Sequence, residues 1–170
     1  MEIDRDQGTT MTQYVVKKSE IDAFDGTAKT HFLNENAKRT NKSLGDMTGL
    51  TGLGFHIIDV PPGCWSTEYH VHHFEDECTY VLSGTGTVII GDETHPIEAG
   101  DFIGYRKGGL PHTMKNTGQD VLRCIVAGER LDHDVADYPN KKKRIYRNAG
   151  QKWDLVDQNL QPKSPAHQCL

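Results

Sequence analysis

His70 and His72 stand two residues apart in the segment Trp65 to His72, Glu77 follows after a short turn, and His112 opens a later block flanked by turn residues. In an extended strand, residues two apart project from the same face, roughly 6–7 Å from each other along the chain. Two imidazoles so placed can grip one ion. The turn His73-Phe74-Glu75-Asp76 lets a neighbouring strand bring the Glu77 carboxylate to the same centre. A lone histidine would carry no such reading, whereas HxH with a carboxylate at fixed spacing and a histidine in a second block does. Three neutral imidazoles and one carboxylate suit a first-row divalent ion (Mn, Fe, Co, Ni, Cu or Zn) and are a poor site for Mg or Ca. The expected cofactor is therefore one divalent transition metal ion on His70, His72, Glu77 and His112. Four ligands in an octahedral sphere leave positions for water or substrate.

Other residues flank this set. Glu68 shares the strand parity of His70 and His72, so it is the candidate general base. Met114 and Asn116 share the parity of His112; Met114 is expected to fill space in the cavity and Asn116 to pin a turn. Tyr105, Arg106 and Lys107 lie where a cation could meet a carboxylate or phosphate. His73 breaks the parity and should face away from the ion, free to orient a ligand. His31, His56, His95, His133 and His167 fit no ligand spacing and read as structural or solvent-facing. Trp65 and Tyr80 read as barrel packing or interface residues.

Short β-rich segments must position these groups. They run Gly54 to Val60, Trp65 to His72, Cys78 to Leu82, Gly86 to Ile90, His95 to Ile97, Asp101 to Tyr105, His112 to Asn116 and Val121 to Ala127. Their separators, among them Pro61-Pro62-Gly63, Ser83-Gly84-Thr85 and Gly91-Asp92, tolerate or impose turn geometry. Eight short strands with short turns predict an all-β fold, an antiparallel barrel or jelly roll. Before it, Ser19 and Asp22 mark a short helix at Glu20 to Phe24, and Asn34 to Asn41 are polar with no assigned element. After Gly128 the chain turns polar again and reads as an irregular tail. The expected organisation is a flanking segment 1–48, a barrel 49–127 and a tail 128–170 packed on or near it, with no internal repeat.

Composition narrows the function. A net charge of −5 over 170 residues disfavours a nucleic-acid partner, which needs a surplus of Lys and Arg on one face. The basic run Lys141 to Arg144 reads as a solvated tail. No apolar run approaches the roughly 20 residues that span a bilayer, so no membrane partner is expected. The opening residues MEIDRDQGTT do not resemble a secretory signal, and Cys64, Cys78, Cys124 and Cys169 form no CxxC. Idle thiols in a reducing cytoplasm are the expectation.

The stretch PPGCWSTEYHVHHFEDECTYVLSGTG, from the flank of Gly63 to beyond Gly84, resembles the first motif of the cupin superfamily. GDFIGYRKGGLPHTMKN, from Gly100 to Asn116, resembles its second motif. The first has a leading gap one residue longer than usual. The second carries Lys107 where proline is usual, and one extra residue before its glycine turn. The resemblance spans about residues 49–127 and implies a single cupin barrel with His70, His72, Glu77 and His112 as ligands, together with a homodimer formed through barrel edges. Gly128, Arg130, Tyr138 and Pro139 extend a looser similarity to bacterial single-barrel cupins, some provisionally labelled sugar-phosphate isomerases. Three functions follow as expectations. The first is a metal-dependent isomerase, epimerase or lyase acting on a small polar substrate such as a sugar or sugar phosphate. The others are an Fe(II)-dependent dioxygenase and a non-catalytic module that binds a small ligand or metal.

Overall fold

The structure is a computed structural model that describes residues 13–158. The chain opens with helix α1 (Lys18–Ala23), where the Lys17 N–H donates to Glu20 Oε2 at 2.8 Å. The helix therefore starts two residues earlier than Ser19 and Asp22 suggest; Asp22 instead pairs with Lys18 along the helix. Hairpin β1 (Thr27–His31) and β2 (Asn34–Ser43) follows, then α2 (Leu44–Met47), β3 (Leu53–Val60) and β4 (Val71–His72). Next come β5 (Glu77–Ser83), β6 (Thr85–Ile90), β7 (Glu93–Glu98), β8 (Phe102–Tyr105), β9 (His112–Lys115) and β10 (Leu122–Glu129). The chain ends in β11 (His133–Tyr138), β12 (Lys143–Asn148) and β13 (Asp154–Asp157).

These strands form three antiparallel sheets, ordered β1-β2-β3-β10-β5-β8, β13-β12-β11-β4 and β7-β6-β9. The main core draws Ile58, Val60, Val81, Ile103, Leu122 and Cys124 from the six-stranded sheet and Val88, Ile97 and Met114 from the three-stranded one. These two sheets therefore bury their apolar faces against each other, as period-two alternation requires. Leu122, Val60 and Val81 are completely enclosed. A smaller cluster of Ala136, Tyr138 and Ile145 sits under the C-terminal sheet. The all-β jelly-roll reading holds.

Two local expectations are corrected. The segment Trp65 to His72 is not a continuous strand. Its backbone switches partners: Trp65 N–H donates to Asn36 O on β2, while Ser66 and His70 donate to Met114 O and His112 O on β9. A segment shared between two neighbours cannot sustain one ladder, so only Val71 and His72 remain in regular pairing, against β11. The C-terminal part is not irregular either. It carries three strands, and three of the six cross-strand pairs of β11 and β12 are complementary polar ones: Asp134 faces Arg147, Asp137 faces Arg144, and His133 faces Asn148. Such pairs stabilise a polar ladder that shows little apolar alternation.

Candidate metal centre

His70 and His112 are held face to face by backbone pairing. The His70 N–H donates to His112 O at 3.1 Å, and the reverse bond measures 2.8 Å. His70 Nδ1 donates to the Glu68 carbonyl at 2.8 Å, and His112 Nδ1 faces the Leu110 carbonyl at 3.4 Å. With Nδ1 engaged, each ring keeps Nε2 as its available lone pair. The His112 ring lies flat on Tyr105, centroids 3.7 Å apart and 6° from parallel. Its Nε2 is buried with no hydrogen-bond partner among the described residues.

Glu77, at the start of β5, brings a carboxylate oxygen to 3.8 Å from that nitrogen. Ligand atoms of His70, Glu77 and His112 all lie within 4.8 Å of one another. Burial pushes the His70 imidazole down to about 3, helped by His112, so the ring stays neutral and able to donate a lone pair. Burial raises the Glu77 carboxyl, but the surrounding imidazoles, His112 foremost, outweigh it and hold the group at about 2. The neutral imidazole of His70, the ionised carboxylate of Glu77 and the unpartnered buried Nε2 of His112 fit a first-row divalent ion.

His72 is adjacent, its ring 4.9 Å from that of His70, but it lies outside this three-residue convergence. Its Nδ1 donates to Asp134 Oδ2 at 2.7 Å. Burial lowers the imidazole and the Asp134 bond more than compensates, so its pKa is raised. Asp134, fully enclosed, also accepts from Arg147 at 2.9 Å and from the Phe74 N–H at 3.2 Å. Glu75 binds Arg147 and the Leu131 N–H. His72, Glu75 and Asp134 form a second acidic cluster, but the Arg147 guanidinium already meets both carboxylates.

All four sequence-predicted ligands line one cavity of about 440 Å³, together with Tyr105, Met114 and Tyr138. Glu68 is not among its lining residues: its side chain is buried, with Oε2 3.7 Å from Lys141 Nζ. Asn116 pins the turn between β9 and β10. Arg106 and Lys107 are exposed and off the cavity wall. His73 faces away and donates to Asp137 at 2.9 Å. His133 bonds Asn148 and His95 lies beside Glu93, while His167 and Cys169 fall outside the described residues. His31 and His56, by contrast, line the cavity, and so do Arg39 and Arg147. Nothing local in the sequence marks these, because β1, β2 and β12 are brought to the site by pairing. Arg130, also on the wall, was visible only as part of the Gly-x-Arg similarity.

Comparison with known proteins agrees with this fold. Residues 56–128 match the cupin domain family model. No curated protein matches the chain. A solved structure from Acidithiobacillus ferrooxidans, named "Putative sugar phosphate isomerase", is 49% identical, covering 85% of this chain and 92% of its own at a TM-score of 0.82. A sugar phosphate isomerase of the cupin superfamily from Silicibacter pomeroyi shares the fold at 23% identity, with 82% and 89% of the two chains covered and a TM-score of 0.71. A predicted oxalate decarboxylase from Thermotoga maritima is 25% identical over 69% of this chain and 99% of its own, with a TM-score of 0.56. Two sequence motifs, a jelly roll built around them and a half-identical relative over most of the chain establish that this protein belongs to the cupin superfamily.

Proposed function

We propose that this chain is a metal-dependent enzyme acting on a small polar substrate, of the isomerase, epimerase or lyase type, with a sugar or sugar phosphate as substrate. The observation that carries the reading is the convergence of His70, Glu77 and His112 around an unpartnered buried nitrogen in the wall of a substrate-sized cavity. The Acidithiobacillus relative's name supports the substrate class. His70, Glu77 and His112 would hold the ion, with His72 as the fourth ligand through the nitrogen that Asp134 leaves available. When bound, the ion supplies Lewis-acid polarisation of a carbonyl or hydroxyl. The chain's own groups do the rest: Tyr105 fixes the His112 ring, Asp134 and Arg147 fix His72, and the apolar wall at Met114 and Val126 limits water.

A proton must also move. Glu68, adjacent in sequence to the cavity residues but not on the wall itself, is the proposed base, and Glu68→Gln tests it: activity lost with metal retained supports the role, and full activity would pass it to a group that lines the cavity. A homodimer in a reducing cytoplasm completes the proposal; the three free thiols among the described residues, Cys64, Cys78 and Cys124, suit that compartment.

Elemental analysis of the purified protein, followed by a substrate screen with that metal restored, tests the core reading. About one equivalent of a divalent transition metal is expected, as a four-donor site predicts. It should vanish in the His70→Ala, His112→Ala double variant. Stoichiometric metal retained by that variant would refute the site. Turnover that needs Fe(II) and oxygen, and stops under nitrogen, would instead select a dioxygenase.

A further inference from the structure

Four basic side chains, Lys29, Arg39, Arg130 and Arg147, line the cavity beside four acidic ones, Glu75, Asp76, Glu77 and Glu129, and two of the basic groups, Lys29 and Arg39, have no ion-pair partner among the described residues. Arg39 on β2 is half-buried, and its Nη1 donates to the Ser66 carbonyl. Its Nε is buried without a partner, and among the described residues Arg39 forms no ion pair. Lys29 is its direct cross-strand partner on β1, and it too has no ion pair among the described residues. Like charges directly opposite one another destabilise a hairpin, and a partly buried guanidinium held by a backbone carbonyl and the longer-range charge of Glu77 costs more than a directly paired one.

Arg130 enters the same wall from the end of β10, bound on one side to Asp46 at 2.5 Å. Its Nη2 lies 3.4 Å from His56 Nε2. Gly54 leaves the gap between them open: a Cβ there would stand 3.1 Å from both Arg130 Nε and His56 Nε2. Burial lowers the pKa of His56, and Arg130, Lys29 and Arg39 push it the same way, which places all three cations within electrostatic reach of one ring. Lys29, Arg39, Gly54, His56 and Arg130 line the cavity that also holds the metal candidates.

We propose that Arg39 and Lys29, with His56 and Arg130 beside them, form an anion subsite that binds the phosphate group of a phosphate monoester. The two cations without ion-pair partners match a group that carries close to two negative charges at neutral pH. The planar guanidinium of Arg39, on the cavity wall, fits its oxygens with charge-assisted donors. The proposal rests on the preceding reading only for which end of the substrate reacts; the subsite itself does not require the ion.

The test uses metal-free protein, prepared by chelation and dialysis, titrated calorimetrically with inorganic phosphate. Wild type should bind it saturably. Arg39→Gln should weaken binding by about tenfold or more, the loss expected when a charge-assisted donor is removed, and Lys29→Gln several-fold. His70→Ala should bind phosphate as wild type does, which separates this subsite from the metal centre. If Arg39→Gln does not fold, Lys29→Gln, at an exposed position, decides alone. Absence of saturable binding, or unchanged affinity in the folded variants, overturns the proposal. Malonate binding more tightly than phosphate overturns the phosphate assignment. Phosphate binding by a protein that takes up no metal would leave the subsite standing and refute the metal-dependent function.

Discussion

Asn116 is fully enclosed and spends its whole amide on backbone. Nδ2 donates to Val60 O at 2.7 Å and Asp120 O at 2.8 Å, and Oδ1 accepts from the Gly118 N–H at 2.9 Å. Asn116→Ala should therefore cost about 2–4 kcal/mol, since each buried group left unpaired carries a penalty of its own. Urea denaturation reads that loss, while metal content should stay unchanged. His31 offers a different residue-level test. Burial, with help from Arg39 and Lys141, lowers its imidazole to about 4, and its Nδ1 accepts from the Leu33 N–H at 3.1 Å. A folded pKa below the unfolded value near 6.5 means that the unfolded chain takes up the proton first. The stability this neutral ring contributes is intact above about pH 6.5 and is lost as pH falls toward 4. His31→Asn keeps an acceptor for Leu33 and removes the titration, so melting curves should show a shallower loss than wild type over that window. Parallel curves would contradict it.

At the level of elements, the turn between β5 and β6 sets the register of both sheets that enclose the core. Gly84 sits there at φ +85°, and a Cβ would lie 2.5 Å from the Val121 carbonyl oxygen. Gly84→Ala meets both a left-handed backbone and a backbone clash, so a destabilisation of about 3 kcal/mol or more is expected. A denaturation midpoint within error of wild type would show that the turn can relax. The β11–β12 ladder works differently, through charge. Arg144 holds Asp137 by two bonds at 2.6 and 2.8 Å. Arg144 and His73 together overcome burial and keep the Asp137 carboxyl below its usual value.

For the whole molecule, the unanswered surface is the outer face at the β5–β8 edge. Phe102, 68% exposed, pairs across the strands with Tyr80, and Leu82 extends the same face. An exposed apolar edge strand invites pairing, and the proposed homodimer would cover it. Light scattering behind size exclusion should give twice the chain mass, and Phe102→Lys should reduce it to one. A wild-type monomer at the highest soluble concentration would refute the dimer. The core is tested by Leu122→Ala, which empties a completely enclosed site and should cost about 2–5 kcal/mol in chemical denaturation.

The sequence by itself determined the barrel and its turns, and it named the residues proposed as metal ligands. Those signals are local: period-two alternation, turn residues at short intervals, and HxH followed by a carboxylate need only neighbouring positions to be read. Even the broken strand from Trp65 to His72 kept His70 buried and facing His112, because the backbone bonds between those two residues survived the bend. Tertiary structure decided what depends on register between distant segments. Asp134 could be matched to His72 and Arg147, and Lys29 and Arg39 to His56, only once β1, β2, β11 and β12 had found their partners. Their polar sequences carry little alternation of their own. The grouping of His70, Glu77 and His112 was therefore legible in the chain, whereas the charged wall facing it came into being only when the sheet closed.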